Sequence, residues 1–364
     1  MNPLKQLGAL GQSIWLDYIR RDMIVSGELQ RLIEEDGLRG MTSNPAIFEK
    51  AIVESHDYDA DIRAQTLAGK PAKAIYETIS QCDVQSAADV FHPVYVSTGG
   101  IDGYVSLEVN PHLAHDTAGT IDEARRLWRS LNRPNVFIKV PATVEGLPAI
   151  RQLICEGINV NVTLIFGLPR YRQVAEAFIA GLEARAVQGS PVNHIASVAS
   201  FFVSRIDALI DPLLEKHGDP VAKSICGEVA VASAKTAYQF YKEIFGSDRF
   251  AKLAAQGAQV QRLLWASTGT KNPAYSDVKY IEALIGPDTV NTIPLETLIA
   301  YRDRGNPESR LEKDAGVAAH ILKRLPELGI DIDQITQQLE DEGVAKFNKP
   351  FDELMAALAA QRKK

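Results

Sequence analysis

Residues 135–143 read NVFIKVPAT, which places a lysine in the middle of an otherwise apolar, β-branched run. Val136, Phe137, Ile138 and Val140, preceded by Arg133-Pro134 and stopped by Pro141, have the composition and turn punctuation of a buried parallel strand. Lys139 is the anomaly. An ammonium buried there is costly, and desolvation relieves the cost by favouring the neutral amine. A neutral buried amine is a nucleophile whose natural target is a carbonyl carbon, and the Schiff base so formed draws electrons from a neighbouring carbon–carbon bond. Taken alone, the strand equally admits a lysine at its end that snorkels to water.

Outward from this run the chain alternates between strand and helix. SIWLDYI (13–19) reads as the first strand, and GELQRLIEEDG after Ser26 as a helix closed by glycine. GMTSNPAIF supplies a short second strand and a turn, with Asn44-Pro45 opening the next helix. Residues 49 to about 96 are mostly helical. DGYVSLEVN (102–110) is the third strand, with Val105, Leu107 and Val109 on one face and Ser106 and Glu108 on the other. TIDEARRLWRSL returns the chain to the lysine strand. VEGLPAIRQLICEG then reads as helix, GINVNVTLIF as the fifth strand and LPRYRQVAEAFIAGLEARAVQG as helix. HIASVASFFVS is the sixth strand, followed by helix-rich sequence from Arg205 to about Ala258. QRLLWASTG is the seventh strand, PAYSDVKYIEALIG a helix and DTVNTIPLETL the eighth strand. Beyond Tyr301 the chain is helical and charged, ending in the amphipathic KPFDELMAALAAQRKK.

This alternation predicts an α/β fold, a single (β/α)8 TIM barrel with additional helices. One catalytic domain over 1–364 is expected, with helical insertions around 49–96 and 205–258 and a helical extension from about 301. At 46% hydrophobic and 23% charged residues the 364-residue chain has the balance of a globular enzyme with a large core. The net charge of −7 argues against a nucleic-acid binder, so an anionic substrate must be caught by a local cationic pocket. The N-terminus has no basic segment followed by an apolar core, and no run is long enough to span a bilayer; a cytoplasmic protein without a membrane partner is expected. Cys82, Cys155 and Cys226 are far apart and form no CxxC pair, and His112 and His115 lack the carboxylate–histidine spacing of a metal site. Neither a metal nor a cofactor is expected.

In a barrel, alternate strand residues point inward and the active site lies at the C-terminal strand ends. The inward sets then contain Asp17, Glu108, Lys139, Asn161 with Thr163, Ser200 with Phe202, and Ser267 on strands one, three, four, five, six and seven. Asn44 ends the second strand and Arg205 follows the sixth. Singly each has a structural reading, Asn44 as a helix cap, Asp17 as an arginine's partner, Thr163 and Ser200 as ordinary polar barrel residues. Jointly they make a coincidence improbable.

SIWLDYIRRD, GMTSNPAIF, VSLEVNP, FIKVPAT, INVNVTLIF and SVASFFVSRID resemble, in order and spacing, the motifs of transaldolase, over nearly the whole chain. The resemblance implies a Schiff-base barrel that moves a dihydroxyacetone unit between ketose and aldose phosphates in the pentose phosphate pathway. It makes Lys139 the nucleophile and Asp17 and Glu108 the acid/base pair, with Thr163 helping to hold the water that shuttles protons to and from the lysine adduct. Asn44, Asn161 and Ser200 match positions that hold the dihydroxyacetone hydroxyls or support the lysine, and Arg205 matches a phosphate-binding arginine. Glu108 and Phe202 match transaldolase rather than the related simple aldolases. The departure is in WASTGTKNP: Ser267 is present, but Gly269 stands where better-known transaldolases carry a second phosphate arginine, and Lys271 is the nearest replacement cation. The expected partners are small sugar phosphates, and a homo-oligomer is compatible with the sequence. The rival readings are a class I aldolase needing no acceptor sugar, and a silent barrel that only binds a sugar phosphate or a protein.

Overall fold

The β-branched runs become eight parallel strands: β1 (Gln12–Asp17), β2 (Gly40–Thr42), β3 (Tyr104–Glu108), β4 (Val136–Pro141), β5 (Val160–Ile165), β6 (Ser197–Phe202), β7 (Arg262–Ala266) and β8 (Thr289–Ile293). In the computed structural model, which describes residues 2–361, they close into a barrel in sequence order. The register sets Lys139 opposite Glu108 on β3 and opposite Asn161 on β5. Three of the anticipated residues therefore sit at one level of the barrel. The seam is the β1–β8 pair, where Gln12 Nε2 donates to Thr289 Oγ1 at 3.0 Å and to the Leu284 carbonyl at 2.7 Å.

Trp15, Tyr104 and Phe137, from β1, β3 and β4, stack with ring centroids 4.3 to 6.4 Å apart, so these positions face into the barrel. They form an aromatic plug in its lower half. A Cβ at Gly40 would lie 2.6 Å from the Trp15 indole, so only glycine fits beside the plug. Emptying the Trp15 site by substitution with alanine should cost about 3–5 kcal/mol. Two residues further along the same faces stand Asp17, Ser106 and Lys139, which places the polar layer on top of an apolar floor. The pairing of β5 with β6 is irregular between Val162 and Ile165, and Leu164 takes φ of 62°, a left-handed conformation rare outside glycine.

Several elements differ from the sequence reading. The helix expected over 273–286 is confined to Lys279–Ala283. Before it the chain turns at Asn272, whose side chain accepts from Ala274 N, and Tyr275 ties that loop to Asp211 at 2.8 Å. The eighth strand ends at Ile293 because Pro294 has no N–H for the ladder, and Leu295–Arg304 is helix. GELQRLIEEDG is a short helix that widens into a π-helical turn over Leu32–Asp36. The insertion after β2 is three helices, Pro45–Val53, Asp59–Leu67 and Ala72–Ser97. An N-terminal helix, Pro3–Ala9, was not anticipated.

The last helix, Ile332–Gln361, lies across the C-terminal face of the barrel. Arg170, in the helix after β5, pairs with Glu340 at 2.8 Å, and His112, just after β3, pairs with Asp352 at 2.7 Å. Phe351 meets Tyr76 edge-to-face with centroids 5.7 Å apart. Between these anchors a Cβ on Gly343 would stand 3.0 Å from Leu164, so the helix rests directly on the irregular end of β5.

Candidate active site

Lys139 is 4% exposed. Its Nζ donates to the Ser43 carbonyl at 3.2 Å and lies 3.4 Å from Glu108 Oε2, an oxygen that accepts no hydrogen bond. Burial pushes the Glu108 carboxyl up to about 7, opposed by the Lys139 charge and helped by the charge of Asp17. A carboxyl in that range gives and takes protons readily near neutral pH. Asp17 Oδ1 accepts from Thr42 Oγ1 at 2.7 Å, and that hydroxyl is 2.6 Å from Thr292 Oγ1. Burial raises the Asp17 carboxyl as well, while the charge of Lys139 and the Thr42 bond oppose the rise. Two carboxyls pushed upward near one amine are an arrangement that can serve acid/base chemistry around a nucleophile.

Beside the lysine runs a buried polar chain. Ser200 Oγ donates to Asn161 Oδ1 at 2.7 Å and Asn161 Nδ2 donates to Ser106 Oγ at 3.0 Å, which fixes the amide's orientation. Thr163 Oγ1 is buried without a partner. Such a hydroxyl is expensive to leave unsatisfied and is ready for a ligand or a water. Asn44 does cap the helix Pro45–Val53, accepting from Ile47 N at 3.1 Å, and it also lines the cavity. The two readings of that residue are compatible.

On the opposite wall Arg205, in the helix Ser204–His217 after β6, holds its guanidinium carbon 5.5 Å from the Phe202 ring. Its Nη1 is buried with no hydrogen-bond partner, and burial draws the group below the ordinary arginine range against the charges of Glu342 and Asp17. An anion there would give the orphaned donor a charge-assisted bond. Ser267 is not on the seventh strand as read; it follows the strand's end with φ of 54°, its Oγ 3.2 Å from Ser204 Oγ. Gly269 and the exposed Lys271 border the same space.

One cavity is thus lined by Asp17, Asn44, Lys139, Thr163, Ser200, Phe202, Arg205, Ser267 and Lys271, together with Thr42, Gly269, Thr292 and Phe347. Glu108 and Asn161 stand beside Lys139 in neighbouring strands rather than on the cavity wall. Sequence reading passed over Thr42, Ser106 and Thr292, although Ser106 shares the face of Glu108 and Thr42 lies within GMTSNPAIF. It also passed over Phe347, whose ring centre is 5.6 Å from Lys139 Nζ and which no local pattern marks. His112 and His115 bond separate carboxylates, Asp352 and Glu145. Among the described residues no group of three or more His, Cys, Asp or Glu is placed to hold a metal ion.

Residues 14–358 match the family model described as Transaldolase/Fructose-6-phosphate aldolase. The chain is 50% identical to a transaldolase of Trichodesmium erythraeum, the alignment covering 100% of this chain and 98% of the relative. It is 50% identical to transaldolase 2 of Nostoc punctiforme over 98% of this chain and 97% of the relative. With a transaldolase of Mycolicibacterium smegmatis it shares 47% identity over 99% and 98% of the two chains.

Proposed function

Because the chain belongs to the transaldolase/fructose-6-phosphate aldolase family, we propose that Lys139 is its Schiff-base nucleophile, with Asp17 and Glu108 dividing the proton transfers. The activity is that of a transaldolase, a transferase that moves a dihydroxyacetone unit from a ketose phosphate to an aldose phosphate in the pentose phosphate pathway. The Lys139 amine attacks the C2 carbonyl of the ketose, and loss of water leaves an iminium. Asp17 takes the proton from the C4 hydroxyl, the C3–C4 bond breaks, and the electron pair moves into the iminium while the aldose departs. The remaining three-carbon adduct attacks the aldehyde of the acceptor, which receives a proton at its oxygen, and water then releases the new ketose. Glu108, aided by Thr163, handles the protons on the nitrogen side. Asn161 and Ser200 with Asn44 orient the dihydroxyacetone end, and Phe202 forms the wall behind it.

Arg205, Ser267 and Lys271 hold the phosphate in this reading. Gly269 leaves Lys271 as a point charge where a planar fork would otherwise stand. The whole chain acts as one catalytic unit, since the last helix meets the barrel mouth. Sugar phosphates are the partners, and a homo-oligomer remains compatible with the fold. A cytoplasmic setting fits three free cysteines; among the described residues no helix is long and apolar enough to cross a membrane.

The observation that carries the assignment is the buried Lys139 Nζ at 3.4 Å from a carboxyl raised to about 7, in a mouth that also holds the unpartnered Arg205 Nη1. Borohydride reduction with fructose 6-phosphate, with and without erythrose 4-phosphate, tests it. A three-carbon adduct on Lys139 that the acceptor diminishes is expected. Label on another lysine, or none, overturns the assignment.

A further inference from the structure

The ends of the strands and the segments that follow them supply most of the cavity, but one wall comes from elsewhere. Phe347 sits on the last helix, is 6% exposed, and lines the cavity with its ring centre 5.6 Å from Lys139 Nζ. The helix is pinned on both sides of this point, by Glu340 to Arg170 and by Asp352 to His112 with Phe351 against Tyr76. Gly343, one turn earlier, lets the helix approach Leu164 at the end of β5. Phe347 is held down onto the reacting nitrogen rather than merely filling a gap. A hydrocarbon ring there removes no substrate hydrogen bond and supplies no proton; what it removes is water.

The chemistry of transfer has one step at which water matters most. After the aldose departs, the three-carbon adduct on the lysine has two fates. It can add to an aldehyde, or it can take a proton at C3 from solvent and become an iminium. Water then adds at C2 and the C–N bond breaks, giving free dihydroxyacetone and the free lysine amine. The second route makes the enzyme a simple aldolase. Hydrolysis of the finished ketose is still required, and the Glu108 and Thr163 side of the nitrogen is available for it.

We propose that Phe347, carried into the barrel mouth by the helix Ile332–Gln361, is a specificity-determining residue that keeps solvent off the three-carbon adduct, so that the unit is passed to an aldose instead of being released. The inference rests on Lys139 being the Schiff-base lysine. It makes the terminal helix part of the active site.

The test is a graded series, F347L, F347V and F347A, in the full chain. For each, the rate of dihydroxyacetone release from fructose 6-phosphate without acceptor is divided by the transfer rate with erythrose 4-phosphate. The ratio should rise several-fold in the order of lost ring volume, with the borohydride adduct still on Lys139. A purely structural role for the ring would lower both rates together and leave the ratio flat; a flat or falling ratio in the folded members of the series overturns the proposal. If F347A does not fold by circular dichroism, F347L and F347V read the same trend. Wild-type enzyme that carries no label on Lys139 defeats the underlying assignment, an outcome distinct from a labelled series with an unchanged ratio.

Discussion

The barrel contains two buried ion pairs at its opposite ends, and they are built differently. At the lower end Arg262 meets Asp102 at 2.8 Å, and both oxygens of Asp102 are bonded, Oδ1 also from Trp15 Nε1 and Oδ2 from Ser13 Oγ. Arg262 spends its other donors on Ser13 Oγ and the Ile101 carbonyl. At the upper end Lys139 and Glu108 are 3.4 Å apart, Oε2 accepts no hydrogen bond, and the carboxyl is pushed up to about 7. A buried pair repays its desolvation only when its geometry is good and its remaining valences are satisfied. The lower pair meets that condition and holds the structure. The upper pair fails it, and the same shortfall is what the proposed chemistry would use.

The strongest way to break this contrast is to cut both pairs. Lys139→Ala should abolish the borohydride adduct and transfer, yet leave the thermal midpoint close to wild type, because Glu108 can take up a proton once its partner is gone. Asp102→Ala should cost about 3–5 kcal/mol in denaturant unfolding, since a guanidinium left alone cannot shed its charge. Activity per folded molecule should be nearly unchanged in that variant. Equal destabilisation by the two would end the distinction.

Next in size, Asp17→Asn and Glu108→Gln should each lower kcat by about 10²–10⁴-fold, the usual loss on removing a positioned acid or base. A variant of full activity removes that residue from the reaction. Arg205→Ala is expected to raise KM for fructose 6-phosphate by about 10- to 100-fold, the equivalent of one charge-assisted bond, with little effect on an unphosphorylated ketose. Both substrates must be measured in the same variant.

Glu108 also makes stability depend on pH. Its folded pKa of about 7 lies above the ordinary value of 4.5, so between these values the folded state holds the proton more tightly than the unfolded one. Wild-type stability relative to Glu108→Gln should therefore fall as pH rises from about 4.5 to about 7 and level off above. Unfolding curves at several pH values check the sign, and a difference that grows with pH refutes it. The smallest effect concerns the phosphate end. A Cβ at Gly269 would have Pro294 and Thr297 as its nearest neighbours, at ordinary contact distances, so Gly269→Arg should fold and lower KM for the phosphorylated donor a few-fold. Lys271→Ala should raise it by a similar factor; an unchanged KM would move the second half of the pocket to Ser267 and the backbone near Thr268.

Much of the upper pair was legible in advance because strand periodicity is local. Once Val105, Leu107 and Val109 define one face of β3, Glu108 must lie on the other, and the apolar neighbours of Lys139 mark it as buried. The polar chain through Ser106 was less visible, since a serine on an inward face looks like any small barrel residue until Asn161 is placed beside it. Phe347 was beyond reach. Which residue of an amphipathic helix descends into a distant pocket is decided by docking contacts such as Glu340 with Arg170, and those have no signature in the helix itself. The shortening of the helix expected over 273–286 to Lys279–Ala283 has a related origin: an apolar spacing suited to a helix was overruled in its first half by the Asn272 turn and by the tie from Tyr275 to Asp211.

The seam between β1 and β8 bears on how the chain is made. β1 ends at Asp17 and its second neighbour ends at Ile293, so on the ribosome one edge of β1 waits for almost the entire barrel to be synthesised. At a synthesis rate of about 5–20 residues per second that interval is roughly 14–55 s. Throughout it the N–H and C=O groups that will face β8 are an open template for strand pairing. β1 is itself apolar through Ile14, Trp15 and Leu16, so that open edge carries apolar side chains that are buried only in the finished barrel. Gln12, which spans the seam to Thr289 and Leu284, can make those bonds only after the eighth strand has emerged. Its contacts are therefore markers of the moment at which the barrel shuts.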